Sequence, residues 1–265
     1  MYLPAMRNKN SSTKQGDYVK GNPVRGFNYL VRGFELLAIP ELRLFVLVPL
    51  LINTAIFVLL ISLSIGQFSD WIDQIMNWLP QWEWLDFIRW IIWPLAVSLL
   101  LVIIMYSFSI VANIIASPFN GLLAEKVEEL LVGKEVTGKE TFAQALKDAP
   151  RSISKEFQKI LYYLPRALLV AMISLIFTFI FPPISTALWF LLGAWMMSLQ
   201  YCDYPMDNHK HSLNDVKTAI GENRMTSLGF GGAVMLGTMV PIVNFIIMPA
   251  AVCGATIYWV EELKG

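Results

Sequence analysis

Polar and apolar positions along this chain separate into long blocks. Four tracts carry no Asp, Glu, Lys or Arg: Leu44 to Gln67 (24 residues), Trp90 to Ala124 (35), Ala167 to Cys202 (36) and Met225 to Val260 (36). A helix needs about 20 apolar residues to cross the hydrocarbon core of a bilayer. The first two tracts read as single crossing helices, about 44–66 and 90–116. The other two are interrupted, the third by Pro182-Pro183 and the fourth by Pro241, with Asn244 close by. A proline inside a helix removes an amide donor and clashes with the preceding turn. The halves of the third tract, 167–181 and 184–200, hold 15 and 17 residues. Each reaches roughly 22–26 Å, short of the ~30 Å core. The third and fourth tracts are therefore expected to form helical hairpins, about 167–200 and 226–260, that enter the bilayer from one side and turn at depth. The competing reading is four complete helices lengthened by polar flanks.

The remaining segments read as helices that stay in water. Asn22-Pro23 is a good helix start, with Asn as the N-cap and Pro at the first helical position. Phe27, Leu30, Val31, Phe34, Leu37 and Ala38 then share one face, which predicts an amphipathic helix at the membrane surface. The stretch 120–132 continues the second crossing helix and stops at Gly133. Thr141 and Gln144 have the spacing of a capping box, and from Phe142 onward apolar residues recur every three to four positions into the first hairpin. No strand pattern is present. The expected fold class is an all-α integral membrane protein, with two full transmembrane helices, two hemi-penetrating helical hairpins and a cytoplasmic helical body. Residues 1–22 read as a loose cytoplasmic N-terminus and 23–265 as one membrane domain.

Composition agrees. Hydrophobic residues make up 56% and charged residues 15%, too little charge to cover a soluble surface. The 20 basic and 20 acidic residues cancel, which leaves no basic field for nucleic acid. Charge distribution gives an orientation. The loop 68–87 has no Lys or Arg and holds Asp70, Asp73, Glu83 and Asp86, whereas basic residues gather before Leu44, in 118–166 and in 203–224. The positive-inside rule places those basic segments and both termini in the cytoplasm.

Several chemistries are missing. There is no phosphate-binding G-x-x-x-x-G-K-[ST], no H-E-x-x-H and no C-x-x-C, so neither ATP hydrolysis, a cofactor nor a bound metal is expected. His209 and His211 face apart on a helix and read as polar loop residues. Asp203 and Asp207 could hold Mg²⁺ for an enzyme acting on lipid headgroups, but Pro205 is expected to break the helix between them and leave them as caps or turn residues. No charged residue lies deep in any apolar tract, which argues against a proton relay. Neutral polar groups, Asn53, Asn113 and Asn120, with Arg166 at a tract edge, are the candidates for lining a solute path; each could equally be helix–helix glue or a snorkelling side chain. Gly229, Ala233 and Gly237 form a small-residue ladder that reads as a packing seam. The sharpest candidate is Pro40-Glu41-Leu42-Arg43. Pro40 starts the first crossing helix, the amides of Glu41, Leu42 and Arg43 lie at its positive end, and a guanidinium sits on the same turn. That arrangement suits an oxyanion, although Glu41 would repel a dianion and Arg43 could simply snorkel.

Several stretches carry a family resemblance. They are Arg43-Leu44-Phe45-Val46-Leu47-Val48-Pro49, Ala116-Ser117-Pro118-Phe119-Asn120-Gly121, Tyr163-Leu164-Pro165-Arg166, Gln200-Tyr201-Cys202-Asp203-Tyr204-Pro205 and Met248-Pro249-Ala250-Ala251. With these the chain resembles the CysZ family of bacterial inner-membrane sulfate transporters over about residues 26–260. The resemblance implies sulfate uptake for cysteine biosynthesis, two full spans with two hemi-penetrating hairpins, a homo-oligomer in the lipid bilayer, and sulfate binding at a Gly-(Leu/Ile)-Arg-Arg motif before the first span. Leu42 and Arg43 match that motif, Glu41 stands where the family has Gly, and Leu44 stands where it has the second Arg. A lipid-headgroup enzyme using Asp203 and Asp207, and a non-transporting membrane scaffold, are the alternative functions.

Overall fold

The first helix starts where its cap predicts. The Asn22 side chain accepts a hydrogen bond from the Val24 amide, and Pro23 occupies the first helical position. In the computed structural model, residues 21–78, 85–133 and 142–264 are described. They form eight α-helices: α1 (Pro23–Leu36), α2 (Pro40–Asn77), α3 (Leu85–Val132), α4 (Phe142–Ile180), α5 (Pro182–Asn208), α6 (Leu213–Glu222), α7 (Arg224–Thr238) and α8 (Pro241–Tyr258), followed by a π-helical turn, Trp259–Leu263. No strand occurs among the described residues. The class expected from the sequence, an all-α membrane protein, is the one observed. Residues 1–20 and Thr141 of the expected capping box lie outside the described set.

The breaks between helices fall at the predicted prolines. α4 gives way to α5 at Phe181, just before Pro182, and α7 to α8 at Met239-Val240, just before Pro241. α3 stops at Gly133, whose φ of +70° is the left-handed conformation that ends helices. Two expectations need correction. α2 does not stop with its apolar tract at Gln67 but runs on through Asp70 and Asp73 to Asn77, so much of the expected acidic loop is helix. Nor does Pro205 end α5; it is buried inside that helix. Tertiary contacts on both sides of Pro205, described below, outweigh its single missing hydrogen bond.

Four described stretches are long and apolar enough to cross a membrane: Pro40–Ser62, Arg151–Ile180, Pro182–Asn208 and Ile246–Leu263. α2 and α3 pack on each other, and α2 turns large side chains outward, among them Leu44, Leu51 and Val58. The core lies elsewhere. α1 packs on α7 and α8, α5 packs on α4, α7 and α8, and the end of α3 closes the cluster with Leu123 and Val127. Glycines set these contacts. A Cβ at Gly33 would collide with the Ala250 carbonyl oxygen, and one at Gly229 with the Pro23 backbone, so α1 lies in backbone contact with both α7 and α8. Gly237 sits equally close to Ile247. Gly229 and Gly237 of the ladder are thus close-packing positions, and with Ala233 they also line an apolar groove.

Candidate functional site

The corner between α1 and α2 is built almost entirely by backbone hydrogen bonds. The amides of Leu37, Ala38 and Ile39 donate to Phe34, Glu35 and Leu36 at 3.0–3.2 Å, and Leu42 donates to Ile39 at 3.1 Å. The chain therefore passes from one helix to the next through a short hydrogen-bonded turn. Leu42 drops into the core and is fully buried, while Glu41 and Arg43 stay exposed on either side of it. Arg43 folds back over the corner, where one Nη donates to the Ala38 carbonyl at 2.8 Å. A guanidinium has five N–H donors, so most remain free to meet an anion. One detail departs from the sequence expectation: the Leu42 amide already has Ile39 as an acceptor, so it is not an open donor. What remains at the positive end of the α2 dipole is the Arg43 side chain beside the exposed turn at Glu41.

Among the described candidates, Asn120 and Arg166 make their contacts elsewhere. Asn120 donates from Nδ2 to the Tyr204 hydroxyl at 3.3 Å, and next to it Asn208 donates to the Gly121 carbonyl at 2.9 Å. These contacts tie α3 to α5. Arg166 donates to the Tyr162 carbonyl at 2.7 Å, with its Cζ 3.5 Å from the centre of the Tyr162 ring. Lys217 approaches the same ring at 5.0 Å. The side chains of Asn53 and Asn113 lie outside the described set.

Asp203 and Asp207 are neither caps nor turn residues. Because α5 continues through Pro205, they stand one turn apart and face Arg151, Lys155 and Lys159, which are spaced one turn apart along α4. Lys155 bridges Asp203 at 2.8 Å and Asp207 at 2.6 Å, Lys159 reaches the other Asp203 oxygen at 2.7 Å, and Arg151 reaches Asp207 at 2.6 Å. Lys155, Lys159 and Asp203 are buried. The fixed cations already occupy the carboxylates that Mg²⁺ would need, and no group of residues able to hold a metal occurs among the described residues. The lipid-enzyme reading loses its site. A second buried carboxylate went unnoticed in the sequence: Glu128, with no exposed surface, takes His209 Nε2 at 2.8 Å and the Lys264 ammonium. The spacings 151-155-159 and 203-207 were visible along the chain; their pairing across α4 and α5 was not.

The molecule is thus an all-helical membrane protein with a donor-rich cationic corner where its first apolar helix begins. It belongs to the family described as sulfate transporter CysZ/etoposide-induced protein 2.4, which matches residues 29–249. Relatives named sulfate transporter CysZ are similar over nearly the whole chain. That of Pseudomonas aeruginosa (strain LESB58) is 45% identical over 241 residues, 89% of this chain and 95% of the relative. That of Vibrio parahaemolyticus is 42% identical over 239 residues, 90% and 95% of the two chains. That of Pectobacterium atrosepticum is 40% identical over 261 residues, 98% and 92% of the two chains.

Proposed function

We propose that this protein carries sulfate across the bacterial inner membrane for cysteine biosynthesis, without ATP hydrolysis. The observation that carries the reading is near full-length similarity to proteins named sulfate transporters, 40–45% identical. The α1–α2 corner supports it chemically. Sulfate is a tetrahedral dianion, and the free donors of Arg43 at a helix N-terminus suit its oxygens. Binding is through the Arg43 guanidinium, with the backbone at Glu41 contributing and Leu42 acting as the buried anchor of the turn. The protein inserts with both termini and the basic segments in the cytoplasm, crosses with α2 and α3, and returns inward with the α4–α5 and α7–α8 hairpins. It acts as a homo-oligomer, with the outward apolar surface of α2 available to lipid or to a second copy.

The route is channel-like or proton-coupled, and the lack of a carboxylate in the four charge-free tracts favours the passive form. Entry against a membrane potential of 100 mV then costs a dianion about 4.6 kcal/mol, or roughly three decades of concentration. Such a route works only where sulfate is consumed promptly inside. The test is radiolabelled sulfate uptake into liposomes holding only this protein, with and without an imposed pH gradient. Saturable uptake in both conditions, with a raised half-saturating concentration in Arg43→Ala, is the expected outcome. Uptake only with the gradient would replace the passive route by proton coupling. No uptake by folded protein would leave a scaffold.

A further inference from the structure

The π turn after α8 is the last described piece of the chain, yet it is fastened to three other elements. Glu261 pairs with Arg32 of α1 through two hydrogen bonds, 3.0 and 2.7 Å. Glu262 accepts the Tyr29 hydroxyl at 2.9 Å and lies 3.6 Å from Arg25, both also on α1. Lys264 pairs with the buried Glu128 of α3, which in turn holds His209 at the end of α5. Trp259 is 3% exposed and wedged beside the His209 and His211 rings. Burial, and then the nearby Glu262 and Glu261 carboxylates, hold the Tyr29 phenol well above its usual pKa, so it remains a donor to Glu262.

These ties differ in kind from the rest of the α1 packing. Glycine seams at Gly33 and Gly229 set how closely α1 approaches α7 and α8, but a smooth seam resists rotation and sliding weakly. The contacts that Glu261 and Glu262 accept are directional and are spread along α1, at Arg32, Tyr29 and Arg25. Arg32 lies four residues before Leu36, where the hydrogen-bonded corner begins that ends at Arg43. A rotation of α1 would therefore be carried toward Arg43 through this hydrogen-bonded corner.

We infer that Glu261 and Glu262 are positioning residues for sulfate binding: the terminal turn clasps α1 and so fixes the place of the Arg43 guanidinium. This rests on the reading of Arg43 as the sulfate-binding group. Loosening the clasp weakens binding but leaves the permeation path intact. The experiment is sulfate uptake by the full chain in liposomes, measured over a range of sulfate concentrations. Glu261→Gln with Glu262→Gln raises the half-saturating concentration by about fivefold or more, the scale of ordinary coupling between sites, while maximal uptake per folded protein is kept. Arg32→Glu and Glu261→Arg each do the same, and the two together restore it. Should the reversals not fold, the double Gln variant carries the test. A fall in maximal uptake alone, in proportion to protein lost, would mean that the clasp is only structural and would overturn the inference. So would unchanged half-saturation in these variants while Arg43→Ala raises it, and the sulfate site would then stand. If Arg43→Ala itself leaves half-saturation unchanged, the sulfate site fails first and the clasp loses its object.

Discussion

At the scale of single residues, position matters more than type. Arg43 and Arg166 both border an apolar tract and each donates to one backbone carbonyl, but Arg166 also lies over the Tyr162 ring, whereas Arg43 stands at the start of a helix. Sequence alone could not rank them, because the difference lies in what each guanidinium meets. Gly33 is an equally local constraint. Its missing Cβ lets α1 touch the Ala250 carbonyl, and that oxygen belongs to a helix and cannot swing aside. Gly33→Val should cost about 1–3 kcal/mol by overpacking. The melting temperature of the detergent-solubilised protein reads this directly. Cys253, fully buried next to Gly254 where α8 meets α1, should also become reactive to a maleimide. An unchanged melting temperature would mean that α1 is seated less tightly than described.

At the scale of elements, the helix starts and stops were written in local chemistry. Asn22-Pro23, Gly133, Pro182 and Pro241 each act on their own backbone, and each is found where the pattern put it. Pro205 shows the limit of that reasoning. Its effect was outweighed by Lys155 and Lys159, which lie 48 and 44 positions before Asp203 and which no local rule connects to it. The same ladder predicts a large mutational cost. Lys155→Met strips one partner from Asp203 and one from Asp207, and breaking a buried pair from one side costs about 3–5 kcal/mol. Thermal unfolding should show that loss. A milder effect belongs to α6, whose start is a reciprocal cap between Ser212 and Asp215. Hydrogen bonds from the Ser212 side chain and backbone hold the Asp215 carboxyl below its usual value. The cap's contribution is therefore present above the ordinary carboxylate pKa, about 3.9, and fades as pH falls through the lowered value. Loss of amide-exchange protection at Ser212 and Asp215, relative to the intrinsic rate at the same pH, in that acid window and not at pH 6, is the expected result.

At the scale of the whole molecule, the sequence disclosed the class and the order of helices, because apolar tracts and prolines are one-dimensional signals. It did not disclose the clasp, whose partners Arg32 and Glu261 are 229 positions apart, nor the burial of Glu128 under Lys264. The proposed insertion of the hairpins makes its own prediction. With the native cysteines replaced, a cysteine at Phe181 should resist water-soluble thiol reagents from both sides of the membrane yet react with a membrane-permeant one. Labelling from the outer face alone would mean that α4 and α5 cross completely. The α4 helix itself has a mechanical consequence. It is unbroken from Phe142 to Ile180. With the ladder at Lys155 taken as a pivot, the arm from there to Ile180 is about 38 Å long at 1.5 Å per residue. A tilt of about 5° at the ladder would swing the far end by roughly 3 Å, about the width of a water molecule. A small exchange of partners among Arg151, Lys155, Lys159 and the two aspartates would thus be magnified by leverage at the turn before Pro182.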